Sequence, residues 1–168
     1  FLATHESPFF LWVHYMDTHH PYLSPERIQK KFGRVYSKKH IKKLSQKTRS
    51  AQDEITADEI PEMEYVYDCS VRYVDEQIGR IIDHLRAEGE LGRSLIVVTG
   101  DHGEGFGEFG KFGHSDELWD TLIAVPLILY ADRGPTVTVD GQAPLRLLKE
   151  TVVDGTGLFD LTDGGAEY

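Results

Sequence analysis

The residues best suited to chemistry fall in two clusters. The first is Asp101-His102-Gly103, with Lys111 and His114 following. A carboxylate oxygen suits Ca²⁺, Mg²⁺ or Mn²⁺, and an imidazole nitrogen extends the range to Zn²⁺. Asp101 and His102 are therefore the candidate metal ligands, two of a set whose other members must come from elsewhere. Lys111 and His114 are the right types to hold an anionic oxygen or to protonate a leaving group. The second cluster is Asp17-Thr18-His19-His20-Pro21-Tyr22. His19 is its candidate substrate-site residue and His20 a neighbour, while His14 reads as a packed strand histidine. The plainer alternatives are a capped turn at Asp101 and solvated loop histidines at 19 and 20.

A competing pattern overlaps the first cluster. Gly105-Phe106-Gly107-Glu108-Phe109-Gly110 has the G-x-G-x-x-G spacing, after a strand and with Asp132 some twenty residues on. Such a loop cradles a pyrophosphate at a helix N-terminus. Here Asp101, Glu104 and Glu108 surround it with negative charge, and Lys-Phe-Gly, not a periodic helix, follows the third glycine. The charge disfavours a nucleotide.

Positioning these residues requires strands that end beside them. Leu95-Ile-Val-Val98 is apolar and β-branched, which predicts a strand buried on both faces, of the parallel-sheet type. Its end delivers Asp101. Pro8 to Tyr15 predicts a second buried strand, ending at the His19 loop, where Pro21 favours an extended predecessor. Between them, Thr56-x-x-Glu59 and Pro61 signal the start of the longest helix. Its apolar stripe is Met63, Tyr67, Val71, Val74, Ile78, Ile81, Ile82 and Leu85, and Gly89 is its stop. Tyr67, Arg72 and Asp75 read as structural, and Cys69 as a packing residue. One or two short surface helices are expected over Ser24–Arg49, anchored by Ile28, Phe32, Val35, Ile41 and Leu44. Asp116 to Ile123 predicts a short helix, Val125 to Tyr130 a third strand, and Thr136 to Val139 an edge strand. Leu145, Leu147, Leu148 and Val152 fit a helix before glycines interrupt.

The chain has 168 residues, 40% apolar and 27% charged, enough for a globular domain with a core. It opens at Phe1 within an apolar segment, and we expect it to be a piece of a longer protein. No apolar run is long enough to span a bilayer. The single Cys69 excludes an internal disulfide framework and a multi-cysteine zinc site, and leaves the redox compartment open. The net charge of −10 argues against nucleic acid as a partner of the whole surface. The charge is uneven, because the ten Lys/Arg from Arg27 to Arg49 have no acidic residue among them. That run reads as a solvated face or as a rim that draws in an anionic substrate.

Taken in order, Asp17-Thr-His-His-Pro-Tyr22, the Tyr67–Gly79 helix, Thr99-Gly-Asp-His-Gly-Glu104, Phe106-Gly-Glu108, Gly113-His114, Leu118-Trp-Asp120 and Val125-Pro-Leu-Ile128 resemble the C-terminal half of the sulfatase catalytic domain. That family belongs to the alkaline phosphatase superfamily, and the resemblance covers residues 8–131. It implies an α/β fold with a mixed, largely parallel sheet flanked by helices, here an incomplete domain. It also implies metal-dependent hydrolysis of sulfate esters, usually with Ca²⁺ (Mn²⁺, Mg²⁺ or Zn²⁺ being alternatives) and a formylglycine nucleophile made from Cys or Ser. Asp101 matches a metal-binding aspartate and His102 the adjacent ligand. His19 matches the histidine of the D-x-H-x-P-Y loop, which contacts the sulfate or leaving group. His114 falls near a substrate-binding Lys or His, with Lys111 a second candidate.

The departures are as informative. The nucleophile motif C/S-x-P/A-x-R is absent, since Cys69-Ser-Val-Arg-Tyr73 does not match it, and so are the paired N-terminal aspartates of the metal site. The formylglycine is expected in an N-terminal part that this chain does not contain, and the isolated chain is expected to be inactive. Two other readings stay open. Phosphonate or phosphodiester hydrolases and phosphoethanolamine or phosphoglycerol transferases share the D-H-G geometry and would take a phosphate ester. A non-catalytic module could instead grip a polyanion through Arg27–Arg49.

Overall fold

The computed structural model describes residues 8–114, 118–134, 136, 138–139 and 142–154. Helices and strands both contribute, in the order α1 (Glu26–Lys31), α2 (Lys38–Ser50), α3 (Ile60–Ala87), β1 (Leu95–Thr99), β2 (Gly105–Phe106), β3 (Phe112–Gly113), α4 (Asp120–Ile123), β4 (Leu127–Ala131) and α5 (Leu148–Asp154). Among the described residues no helix is long and apolar enough to cross a membrane. The chain divides into two compact units, residues 1–80 with 109–112, and residues 81–108 with 113–168.

In the first unit, α1 and α2 lie against the N-terminal half of α3. The α2 start is capped by Ser37, whose hydroxyl accepts the His40 amide at 3.2 Å. Ile28, Ile41, Leu44, Met63, Val66 and Cys69 are buried and form the core. Each of the larger ones contributes about 1.5–3 kcal/mol. Phe32 and Val35, expected as anchors, are exposed. Polar contacts fix the three helices. Arg27 and Lys31 donate to the two oxygens of Glu76 at 2.5 and 2.8 Å. Lys47 donates to Glu59, and His40 Nε2 meets Glu62 at 2.8 Å. The Tyr65 hydroxyl accepts the Arg34 amide at 3.1 Å and faces the carbonyls of Arg34 and Gln29 at 2.6 and 2.8 Å.

The long helix begins and ends where its sequence signals stand. Glu59 reaches back to the Thr56 amide at 2.9 Å, the reciprocal half of a capping box, and the helix opens at Ile60. At the other end Gly89 has φ +71°, its amide bonds to Arg86 O, and the Glu90 amide bonds to Leu85 O. That pair of bonds is the Schellman motif, and its left-handed residue favours glycine. The buried face of the first half differs from the expected stripe. Met63 and Val66 continue through Cys69 and Ser70, while Val71 is exposed. Two small residues occupy the seam, so a pattern that counts only large apolar side chains drifts off the true face.

Two strand expectations are corrected. Residues 8–15 form no strand, and Phe10 and Trp12 are 71% and 76% exposed. A strand exists through the ladder beside it, and among the described residues none pairs with this one. Among the described residues β1 pairs antiparallel with β4 in the register Leu95↔Ala131, Val97↔Leu129, Thr99↔Leu127. β1 is not buried on both faces either, since Leu95 is exposed and its inner residues are only half-buried. A short apolar run shows that a strand is compatible with two covering layers, not that both are there. β4 alternates instead, with Ile128 and Tyr130 outward.

The expected helix at 116–123 is seen as α4, and residues 115–117 lie outside the described residues. Of the expected edge strand, Val137 lies outside them, and Thr136, Thr138 and Val139 are not in a strand. The Leu145–Val152 segment is a short 3₁₀ turn over Leu145–Leu147 that continues as α5.

Candidate functional site

Asp101 stands two residues beyond the end of β1. The loop there is fixed by Gly103, whose amide donates to Leu122 O at 2.7 Å. A Cβ at Gly103 would sit 2.0 Å from Thr121 O and 3.2 Å from Leu122 Cα. Glycine is required there because the backbone of α4 approaches it.

This anchoring orients His102. Its Nδ1 lies 2.8 Å from Gly103 O. A carbonyl only accepts, so Nδ1 carries the proton and the lone pair of the neutral ring is on Nε2. Nε2 lies 3.9 Å from Asp101 Oδ1. Two donors that both lie about 2.0–2.6 Å from one ion can be this far apart, so the pair fits a divalent cation. A backbone acceptor on the other ring nitrogen is also how metal-ligating histidines are held.

His114 joins the same cluster. Its ring centroid is 4.1 Å from that of His102, and its Nδ1 is 3.2 Å from Glu104 Oε1. The Glu104 side chain is only 5% exposed. A buried carboxylate against an imidazole fixes the orientation of the ring. Sequence reasoning missed Glu104, treating it only as charge unfavourable to a nucleotide. The signal was its place, three residues after Asp101 in a loop too short to carry it far away. The dinucleotide pattern itself lacks its helix, because Glu108–Gly110 is one 3₁₀ turn containing a left-handed Phe109, and β3 follows.

The second unit therefore gathers Asp101, His102, Glu104 and His114. His19 and Lys111 belong to the first unit. His19 Nδ1 donates to His20 O at 2.7 Å, so its neutral lone pair is also on Nε2, and its ring stacks on that of His20 at 4.3 Å. The turn that carries it is closed by the His19 amide on Met16 O, and the His20–Pro21 peptide is cis. Tyr22 anchors the loop, buried and edge-on to Tyr67 at 5.4 Å. Lys111 is exposed. Cys69 is fully buried in the α3 seam, and burial pushes its thiol up, the opposite of an activated nucleophile.

Comparison with known proteins gives this arrangement a family. The sulfatase family profile matches residues 1–151. An uncharacterized sulfatase of Escherichia coli, YidJ, is 26% identical over 148 residues, which is 82% of this chain and 29% of the relative. Human iduronate 2-sulfatase is 26% identical, covering 77% of this chain and 28% of its own length. An N-acetylglucosamine-6-O-sulfatase of Bacteroides thetaiotaomicron is 38% identical over 63 residues, 38% of this chain and 11% of that protein. The chain thus spans less than a third of the length of each of these relatives. No solved structure matches it significantly. With the family profile covering nearly all of the chain, and the D-H-G strand end and histidine loop in its order, the chain belongs to the sulfatase family.

Proposed function

We propose that this chain supplies one wall of a sulfate-ester hydrolase site, on a sulfated sugar, within a fuller domain whose sheet is largely parallel. The observation that carries the reading is the pairing of Asp101 with a His102 whose Nδ1 is tied to Gly103 O. Two relatives are named for sulfated sugars, which supports the substrate class. Asp101 and His102 would hold a divalent cation, Ca²⁺ by family resemblance, and that cation would supply Lewis-acid polarisation of the ester. His114, oriented by Glu104, holds a proton for the leaving oxygen. His19 and Lys111 contact the sulfate group. The nucleophile, a formylglycine in the family, is not encoded in this chain.

Thermal unfolding with and without Ca²⁺, Mn²⁺ or Zn²⁺ tests the reading. The wild-type chain is expected to melt higher with one of these ions, and Asp101→Ala to lose the shift. Equal shifts in both proteins, or none in either, would refute the metal assignment.

A further inference from the structure

The strongest unassigned feature is a cleft of about 460 Å³ beside Pro21, in the first unit. Its other wall is one face of α2. Lys42, Ser45, Gln46, Arg49 and Ser50 line it, at the three- and four-residue spacing that puts side chains in a row on a helix. The volume lies within the range of ligand pockets and accommodates a sugar ring.

The cleft draws on the cations of α2 that carboxylates do not hold. Of the ten cations from Arg27 to Arg49, Arg27 and Lys31 are held by Glu76, Lys30 by Glu26 and Lys47 by Glu59. Arg34 donates to the Tyr36 hydroxyl. Lys38, Lys39, Lys42, Lys43 and Arg49 have no carboxylate partner among the described residues, and of these five Lys42 and Arg49 line the cleft. Two uncompensated cations beside neutral hydroxyl and amide groups form a receptor for an oxyanion, with Arg49 able to offer a bidentate fork. No aromatic side chain lines the cleft, so nothing there stacks a nucleobase.

Position ties the cleft to the histidine loop. Pro21 is two residues past His19, so their Cα atoms are within about 7 Å of each other. We propose that this cleft is a second anion subsite, which takes a carboxylate or sulfate on the sugar next to the one whose sulfate ester is attacked. This deepens the proposed function and rests on it for the attacked sugar, while the anion recognition itself does not.

The test uses the 168-residue chain and calorimetric titration with three probes: a glucuronic acid tetrasaccharide, a disulfated disaccharide without carboxylates, and an eight-residue oligothymidylate. Two double variants remove equal charge from α2. One is Lys42→Ala with Arg49→Ala, and the other is Lys38→Ala with Lys39→Ala, outside the cleft; both must melt like wild type. The expected result is a loss of about tenfold or more in affinity for an acidic sugar in the first variant and under about twofold in the second. Which acidic sugar shows the loss distinguishes carboxylate from sulfate as the occupant. Equal losses in both variants mean diffuse attraction and overturn the subsite. So does the absence of binding to either sugar, or tighter binding of the oligonucleotide with the same dependence on Lys42 and Arg49. The tetrasaccharide has no sulfate ester, so its outcome is separate from the metal test. Cleft-dependent binding without metal stabilisation would sink the hydrolase reading alone, and the reverse would sink the subsite alone.

Discussion

Replacing Gly103 with alanine puts the site's architecture to a direct test. The added Cβ would lie 2.0 Å from Thr121 O, whereas an ordinary contact needs about 3.4 Å. The two segments must therefore part by about 1.4 Å. The 2.7 Å bond from the Gly103 amide to Leu122 O does not survive that movement. A lost bond with a stranded amide costs about 1–3 kcal/mol, and the overpacking about 1–3 more. The expected loss is about 2–6 kcal/mol. Because φ at Gly103 is not in the left-handed region, the whole effect is one of space. Urea unfolding followed by Trp119 fluorescence, in a Trp12→Phe background, reads the second unit directly. Gly79→Ala is the control, since it lies in α3 with nothing within 4 Å of its Cβ. That change should stabilise by about 0.5–1 kcal/mol through helix propensity. A Gly103→Ala protein within about 0.5 kcal/mol of wild type would refute the close approach and with it the cause given for the His102 orientation.

Three further outcomes are expected. Lys31 and Arg27 hold the Glu76 carboxyl down at about 2, from an ordinary 4.5. A depressed carboxylate contributes stability that is present above about pH 4.5 and lost as pH falls toward 2, so urea midpoints should drop across that window and Glu76→Gln should flatten the drop. An unchanged pH profile in the variant would discard the pairing. Tyr65→Phe removes the hydroxyl that serves the Arg34 amide and should cost about 1 kcal/mol in the same urea assay; no change would mean water replaces it freely. Finally, the isolated chain should not hydrolyse 4-nitrophenyl sulfate, for want of a C/S-x-P/A-x-R nucleophile, and measured turnover would overturn that expectation.

What could be read in advance follows from the range of the interactions. The α3 boundaries were legible because Glu59 and Gly89 act within a few residues of where they stand. So was the strand end at Asp101, a local change from apolar to polar. The segment 8–15 misled because its composition describes a sheet neighbour that the described residues do not provide. Val71 misled because Cys69 and Ser70, small enough for close packing, displaced the seam. Glu104 was invisible as a partner of His114 because nine residues of glycine-rich loop separate them, and only the folded loop brings them to 3.2 Å.

Tyr65 has a consequence for how this fold can be cut and rejoined. The middle of the link between α1 and α2 is held at Arg34 by a side chain thirty-one positions away, which serves the Arg34 amide and faces the Arg34 and Gln29 carbonyls. Residues 32–37 are thus not a portable loop. Grafted into another helical hairpin they would arrive without the hydroxyl that shapes them, and a donor scaffold would have to supply a tyrosine on its third helix. The connection and the face of α3 beneath it form one unit of exchange, although the chain order keeps them far apart.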